Sequence, residues 1–205
     1  MNMQVFHSLT GVAAPLPMAN LDTDQIMPKQ FLRGVDRESG LAEGFLHDLR
    51  FHAPGLPRPD FVLNRAPWTQ AKILVTGPNY GCGSSREHAV WGMRQLGIGC
   101  VIGSTFGGIF ADNCARNGVP AITLPLAEVK RLLALAADPA TCEMTVDLRR
   151  QEIVTADSRT LRFEFDPLGR DMLLKGLDAV GLTMESSEQI QAFERRHLDA
   201  QPWLA

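Results

Sequence analysis

Apolar positions along the chain separate a regular middle, from about residue 72 to residue 137, from two less regular flanks. In the middle, short apolar runs alternate with segments whose apolar residues recur at helical spacing. They predict strands at 72–76, 100–103 and 120–124, and helices at about 85–96, 107–117 and 126–137. Strands and helices that alternate in this way are typical of a parallel α/β unit.

The flanks carry a strand pattern instead. The first fifteen residues alternate loosely and end at Pro15 and Pro17, which predicts one strand followed by a turn. After the middle, three short segments of alternating polarity predict strands at 143–148, 152–155 and 161–165. Asp166-Pro167 then begins a helix, and a last helix is predicted at about 187–198.

Together these elements predict one domain of the α/β class, with a parallel α/β centre flanked by antiparallel strands drawn from both ends of the chain. Residues 33–60 are rich in proline, glycine and charge, and we interpret them as a long excursion with one short helix near 41–49. We expect part of that excursion to be disordered without a partner. Residues from about 185 to 205 are predicted to form a helical extension.

Composition argues against several classes of protein. The 205 residues carry a formal net charge of −3 and contain no run of Lys and Arg, which argues against a nucleic-acid-binding surface. No apolar stretch reaches the roughly 18 residues that a membrane span needs. The N-terminal residues lack the basic start and the apolar block of a signal peptide, so we expect a cytoplasmic protein.

The four cysteines, Cys82, Cys100, Cys114 and Cys142, include no pair with the spacing of a metal-binding motif. We therefore expect neither a zinc nor an iron–sulfur site built from this chain alone, and no disulfide in a reducing compartment. Cys100 and Cys114 lie in apolar segments and are interpreted as small core residues. Cys82 lies in a glycine-rich turn, either as a small residue that fits there or as a thiol activated by a helix N-terminus.

The densest candidate chemistry lies at residues 79–88 (NYGCGSSREH), between a predicted strand and a predicted helix. Gly81 and Gly83 allow positive φ and a close approach of the backbone to a ligand. The helix start offers unpaired N–H groups to an anion. Two hydroxyls and a guanidinium follow at consecutive positions: Ser84, Ser85 and Arg86. We predict that this loop holds a carboxylate and activates a serine.

Two other interpretations of this loop stay open. Ser84 and Glu87 have the spacing of a capping box, in which the serine accepts from a helical N–H and the glutamate reaches back. A phosphate- or nucleotide-binding module is the second alternative. Against it, the loop contains neither the Gly-Lys-Ser/Thr of a Walker motif nor a dinucleotide-binding Gly-x-Gly-x-x-Gly.

Four separated stretches resemble one known family: residues 20–32 (NLDTDQIMPKQFL), 79–88, 110–118 (FADNCARNG) and 176–183 (GLDAVGLT). The loop at 79–88 resembles the serine-arginine loop of aconitase-like hydro-lyases. Together the stretches look like the small subunits of bacterial 3-isopropylmalate dehydratase. The resemblance runs from about residue 11 to residue 183 and keeps the family's order. Four matches in order are far more specific than one glycine-rich loop.

The resemblance implies a swivelling β/β/α domain, corresponding to the mobile domain of aconitase. It also implies a larger partner protein that carries a [4Fe–4S] cluster, with no cofactor bound by this chain. The implied reaction interconverts 2-isopropylmalate and 3-isopropylmalate by removal and return of water, in leucine biosynthesis. The expected partners are therefore a large subunit and a small alkylmalate substrate, with no nucleic acid and no membrane.

The same resemblance implies roles for residues of the 79–88 loop. The first serine of its Ser-Ser-Arg run, Ser84, is the expected base, activated by helix N–H groups and a nearby cation. Ser85 and Arg86 are expected to hold a substrate carboxylate, where Gly83 lets the backbone come close. His88 either orients a partner group or serves as a cap or as a bridge to the large subunit.

A second loop, Asp22, Thr23 and Asp24, matches the family's Asp-Thr-Asp sequence. It is either a turn held by its own backbone or a loop beside the substrate cleft. In the second interpretation, residues from Lys29 to Arg33 lie near the variable side chain of the substrate. Arg33 is alternatively an ordinary exposed charge.

The sequence departs from the family's pattern in three places. Pro78 stands where an acidic residue is expected, Val90 where a proline is expected, and residues 105–108 (TFGG) replace a Ser-Phe-Ala-Asp type of sequence. None of these changes removes a catalytic candidate. They keep open a paralogous enzyme that acts on another alkylmalate, of the citramalate or dimethylmalate type.

Overall fold

A seven-stranded mixed sheet organises the protein in a computed structural model that describes residues 4–32 and 40–204. The strands are β1 (Ser8–Leu16), β2 (Phe51–Ala53), β3 (Leu56–Pro57), β4 (Ile73–Thr76), β5 (Cys100–Gly103), β6 (Ala121–Thr123), β7 (Glu143–Asp147), β8 (Glu152–Thr155) and β9 (Thr160–Arg162). The helices are α1 (Thr23–Ile26), α2 (His47–Arg50), α3 (His88–Gln95), α4 (Gly108–Arg116), α5 (Leu126–Ala137), α6 (Pro167–Lys175), α7 (Ala179–Met184) and α8 (Ser187–Ala200).

The strand order is β6-β5-β4-β1-β7-β8-β9. Strands β6, β5, β4 and β1 are parallel, whereas β7, β8 and β9 continue the sheet in antiparallel fashion. The first strand therefore lies at the junction, with Ala13 opposite Ile73 on one side and Gly11 opposite Met144 on the other. This confirms the predicted α/β class with a parallel centre and antiparallel strands beside it. The N-terminal strand belongs to the parallel part, however, and the antiparallel strands β7, β8 and β9 all come from the C-terminal side of the chain.

Both faces of the central strands are buried, because successive side chains in a strand point to opposite faces. Ala14 and Leu74 belong to one core, which α3 and α4 cover. Ala13 and Ile73 belong to the other, which α5 covers with residues such as Leu132. The near-continuous apolar sequence of β4 and β5 follows from this burial on two sides.

Helix ends agree with their local sequence signals at α4 and α6. Gly118 has φ of 75° just after α4, and its predecessor Asn117 is the C-cap, as the Asn-Gly pair predicts. Asp166 caps α6 by accepting from the N–H of Gly169 at 2.7 Å, with Pro167 as the first helical residue. The bounds of α5 are those predicted.

Other predicted elements need correction. Helix α3 begins at His88 and not near residue 85, because the residues before it are held by the loop at 20–24. The short helix placed at 41–49 is α2, only four residues long, and the hairpin of β2 and β3 follows it. Part of the 33–60 excursion, residues 33–39 with Arg33, lies outside the described residues.

The C-terminal region contains α8 and a 3₁₀ turn at Pro202–Leu204, where no residue of either is buried. That this region forms a helical extension of a single domain stays a prediction. Between residues 4 and 32 and between 40 and 204, no helix is both long and apolar enough to span a bilayer.

Candidate active site

Three loops meet at the carboxyl ends of three neighbouring parallel strands, β1, β4 and β5. Short backbone bridges join them: Asp22 pairs with Cys82, and Tyr80 pairs with Phe106. The N–H of Thr23 donates to the Cys82 carbonyl at 2.8 Å, which fixes the first pairing. Ligand sites of parallel α/β sheets commonly lie at this edge. The sheet order thus brings residues 20–24 and 79–88 together.

Tyr80 anchors the middle loop in the core. Its ring is fully buried and packs edge-on against Phe110, with 5.2 Å between ring centroids. Burial raises the pKa of the Tyr80 phenol well above its ordinary value, so the group stays protonated. Gly81 follows with φ of 73°, a backbone conformation that residues with a side chain rarely adopt. The buried Tyr80 ring therefore anchors this loop to the core of the protein.

Replacing Gly81 with Ala should destabilise the protein by about 2–4 kcal/mol, since left-handed strain adds to overpacking. A Cβ there would lie 2.2 Å from Cγ of the buried Phe110 ring. Gly55 is the matched control, because it has nearly the same φ, 74°, and nothing within 4 Å of its Cβ position. Urea unfolding should show a loss for Gly55→Ala of only about 1 kcal/mol. Equal losses for the two variants would contradict the close packing at Gly81.

Ser84 is held by the side chain of Thr23. The Thr23 hydroxyl accepts from the Ser84 N–H at 3.0 Å and donates to the Ser84 carbonyl at 2.9 Å. It also lies 3.1 Å from Ser84 Oγ. Thr23 is only 1% exposed, whereas Ser84 faces solvent. A buried hydroxyl thus holds an exposed one at the protein surface.

Asp24 connects Ser84 with Arg86. Its Oδ1 accepts from Ser84 Oγ at 3.3 Å and from Arg86 Nη1 at 2.9 Å. Arg86 Nη1 also donates to the carbonyl of Met27 at 3.3 Å. Both contacts of the guanidinium use the same nitrogen, so Nε and Nη2 take no part in them. Asp24 therefore occupies part of the position where a substrate carboxylate is expected to bind.

The predicted capping box of Ser84 and Glu87 is wrong. Glu87 itself is the N-cap residue of α3, and its side chain makes no capping hydrogen bond. The Ser84 hydroxyl bonds to Thr23 and Asp24 instead of a helical N–H. Glu87 accepts from the Asn117 side chain at 2.8 Å, which ties the start of α3 to the end of α4.

A capping box does occur, in the other loop. Asp22 accepts from the N–H groups of Asp24 and Gln25 at 2.9 and 2.8 Å, and Gln25 accepts from the Asp22 N–H at 3.2 Å. Its signal, an acidic residue with Gln three positions on, was present in the sequence. Asp22 therefore shapes the loop, while Thr23 and Asp24 face the Ser84 loop. The two interpretations of this segment, a self-held turn and a loop at the cleft, are compatible.

The remaining predicted site residues lie in different parts of the structure around the contacts of Ser84 and Arg86. Gly83, with φ of 92°, packs beside Asp22, and Ser85 is exposed directly after Ser84. His88 is the first residue of α3, half-buried, with its ring 4.5 Å from the Trp91 ring. Lys29 is exposed in the 3₁₀ turn Lys29–Phe31 after α1.

The described residues do not fit an iron–sulfur cluster. Among them, no three His, Cys, Asp or Glu side chains lie close enough to hold a metal ion. Cys100, Cys114 and Cys142 are buried core residues, and burial raises the pKa of their thiols. Cys82 is half-buried and paired through its backbone with Asp22. The chemistry of this site is that of hydroxyl, carboxylate and guanidinium groups.

Comparison with known families matches nearly the whole chain. A family model described as "Aconitase C-terminal domain" matches residues 3–127. A model described as "LeuD_N" matches residues 130–167, and a model of the C-terminal domain of 3-isopropylmalate dehydratase small subunits matches residues 180–205. The first match contains both loops of the cluster, and the last contains α8.

Individual relatives agree with these family matches. The chain is 50% identical to "3-isopropylmalate dehydratase small subunit 1" of Mannheimia succiniciproducens over 98% of its own length and 99% of that protein. It is 47% identical to the 3-isopropylmalate dehydratase small subunit of Rhodospirillum rubrum, covering 98% and 97% of the two chains. A crystal structure of 3-isopropylmalate dehydratase (leuD) from Methanocaldococcus jannaschii superposes with a TM-score of 0.66, at 27% identity, over 90% of this chain and 99% of that one.

Proposed function

Since the chain belongs to the family of 3-isopropylmalate dehydratase small subunits, we propose that it supplies one half of a hydro-lyase active site. The proposed reaction interconverts 2-isopropylmalate and 3-isopropylmalate in leucine biosynthesis. The observation that carries the proposal is the contact of Thr23 and Asp24 with Ser84 and Arg86 at the carboxyl edge of the sheet. A candidate base and a candidate carboxylate clamp thereby lie two residues apart in one loop, both in contact with Asp24.

Ser84 is the proposed base. In the dehydration step, its deprotonated Oγ takes a proton from the substrate carbon next to a carboxylate. The electron pair of that C–H bond forms the carbon–carbon double bond, and hydroxide leaves from the neighbouring carbon. Hydration in the opposite orientation returns the proton to the carbon that lost hydroxide and adds hydroxide to the carbon that lost the proton, which gives the isomer. Ser84 is exposed, so it is open to a substrate held by the large subunit.

Arg86 is the proposed clamp for a substrate carboxylate, with Ser85 as a second donor. A guanidinium binds a carboxylate through two parallel N–H donors, and the two contacts seen here engage only Nη1. The ion pair with Asp24 holds the side chain, which is half-buried. Lys29 and Arg33 remain proposals for the region near the alkyl group of the substrate.

The partner in this proposal is a large subunit that carries a [4Fe–4S] cluster. Such a cluster supplies a Lewis acid for the departing hydroxyl group. This chain's own contribution is the base, the carboxylate clamp and the exclusion of water when its surface closes over the substrate. In this proposal any swivelling closure moves the site loops together, because backbone pairing joins these loops to one another.

We expect the purified chain alone to show no isomerase activity, because the hydroxyl-binding half of the site is missing. Addition of the cluster-bearing large subunit from the same organism should restore conversion of 2-isopropylmalate, followed by absorbance of the unsaturated intermediate. The large subunit on its own is the matched control and should be equally inactive. Activity of the isolated small chain, or no activity of the pair with any member of an alkylmalate panel, would contradict the proposal.

A further inference from the structure

We propose that the Thr23 hydroxyl is the hydrogen-bond donor that stabilises Ser84 in its deprotonated, reactive form. The inference rests on the proposed function, in which Ser84 is the base. Thr23 lies within bonding distance of three atoms of one residue: the Ser84 nitrogen at 3.0 Å, its carbonyl oxygen at 2.9 Å and its Oγ at 3.1 Å. The assignment follows from how many hydrogens these groups possess.

A threonine hydroxyl has one hydrogen and two lone pairs. The Ser84 N–H is only a donor, so it takes one lone pair of Thr23 in every state. The Ser84 carbonyl is only an acceptor, so it takes the single Thr23 hydrogen while Ser84 is neutral. Neutral Ser84 then donates its own hydrogen to the second Thr23 lone pair or to Asp24.

Deprotonation, in which the exposed Ser84 hydroxyl gives its proton to solvent water, changes this arrangement in one way. Ser84 Oγ then only accepts, and a charged oxygen binds a donor more strongly than a neutral carbonyl does. The Thr23 hydrogen therefore turns from the carbonyl to Oγ, a rotation about one bond with no movement of heavy atoms. Ser84 is exposed, so water can replace the donor that its carbonyl loses.

The other group at Ser84 Oγ cannot serve in this way. Asp24 has no hydrogen to donate as a carboxylate, and its charge 3.3 Å away opposes a second negative charge. Arg86 offsets that charge through its 2.9 Å contact with Asp24. Of the two side chains seen bonded to Ser84 Oγ, Thr23 and Asp24, Thr23 is the one whose hydroxyl carries a hydrogen. Its burial keeps that hydrogen from turning to solvent.

The test compares variants in the reconstituted two-subunit enzyme. Thr23→Val removes the hydroxyl and keeps the shape, and we expect kcat to fall by about 10- to 100-fold, the effect of one hydrogen bond to a charged oxygen. KM should change by less than about threefold, because Thr23 does not touch the substrate. Thr23→Ser keeps the hydroxyl and should retain kcat within about threefold.

A matched control separates this role from loss of a buried hydroxyl in general. Thr155 is 3% exposed and bonds to Asp157 and to the Arg159 carbonyl. It lies in β8, two strands away from β1, so Thr155→Val should leave kcat unchanged. If valine distorts the Ser84 loop, Thr23→Ala removes the hydroxyl without that shape and should give the same loss. Substrate deuterated at the carbon that loses its proton adds an independent readout. Its isotope effect on kcat should be at least as large in Thr23→Val as in the wild type.

Three results would overturn the inference while leaving the proposed function intact: a kcat for Thr23→Val equal to that of Thr155→Val, equal losses in Thr23→Val and Thr23→Ser, or a smaller isotope effect in Thr23→Val. An inactive wild-type pair would overturn the proposed function and this inference with it.

Discussion

Replacing Ser84 with Ala should lower kcat of the reconstituted enzyme by about 100- to 10,000-fold, the usual contribution of a positioned base. No other described side chain takes its place, since the nearest groups are the Thr23 hydroxyl and the Asp24 carboxylate, and the latter is paired with Arg86. The measurement is steady-state conversion of 2-isopropylmalate with saturating large subunit. Stability should change by less than about 0.5 kcal/mol, because the hydroxyl is on an exposed loop.

Two other serine variants serve as comparisons for Ser84→Ala. Ser85→Ala removes the adjacent hydroxyl, which we assign to substrate binding, and should raise KM more than it lowers kcat. Ser8→Ala changes an exposed serine in β1 and should have no effect. A Ser84→Ala enzyme with a near-normal kcat, or a larger kcat loss in Ser85→Ala, would show that the base has been assigned to the wrong residue.

Replacing Arg86 with Lys should lower kcat/KM by about 10- to 100-fold, mainly through a higher KM. Lysine keeps the charge but loses the planar pair of donors that a carboxylate engages. The ion pair with Asp24 uses one nitrogen only, so lysine can retain it, and the loop should keep its structure. The measurement is substrate saturation with Arg86→Lys and wild type side by side, with thermal unfolding as a check.

Arg94→Lys is the control for charge-conserving change on the same segment. Arg94 is exposed near the end of α3 and should tolerate the substitution. Unchanged KM and kcat in Arg86→Lys would argue against a bidentate contact with substrate. A loss of stability in Arg86→Lys but not in Arg94→Lys would assign the residue to holding the loop through Met27 and Asp24.

Sequence predicted the regular part of the fold well because its signals are local. The apolar stripe of α5 and the Asp166-Pro167 start of α6 depend on residues within one or two turns, and both were confirmed. The hairpin of β2 and β3 was missed, since its seven residues are half-buried or exposed and show no clear alternation. The start of α3 was placed too early for a different reason: what holds the Ser84 backbone is a residue from another loop.

The sequence predicted individual residues of the candidate site but not their arrangement. Ser84, Ser85 and Arg86 were identified from one short motif and a family resemblance, and their catalytic roles remain predictions. Their arrangement depends on Thr23, which lies 61 residues earlier in the chain than Ser84. That contact exists because β1 and β4 are neighbours in the sheet, so that the loops following them meet. Neither loop contains a local signal for the pairing.

The central position of β1 in the sheet also affects folding of the chain during its synthesis. This strand is synthesised before the other strands of its sheet, yet its parallel neighbour begins only at Ile73 and its antiparallel neighbour ends at Asp147. Pairings so distant in sequence slow folding, because long loops must close before the contacts form. Synthesis therefore has to pass Asp147 before β1 has both neighbours, and a nascent chain that stalls earlier exposes an apolar strand with an unpaired edge.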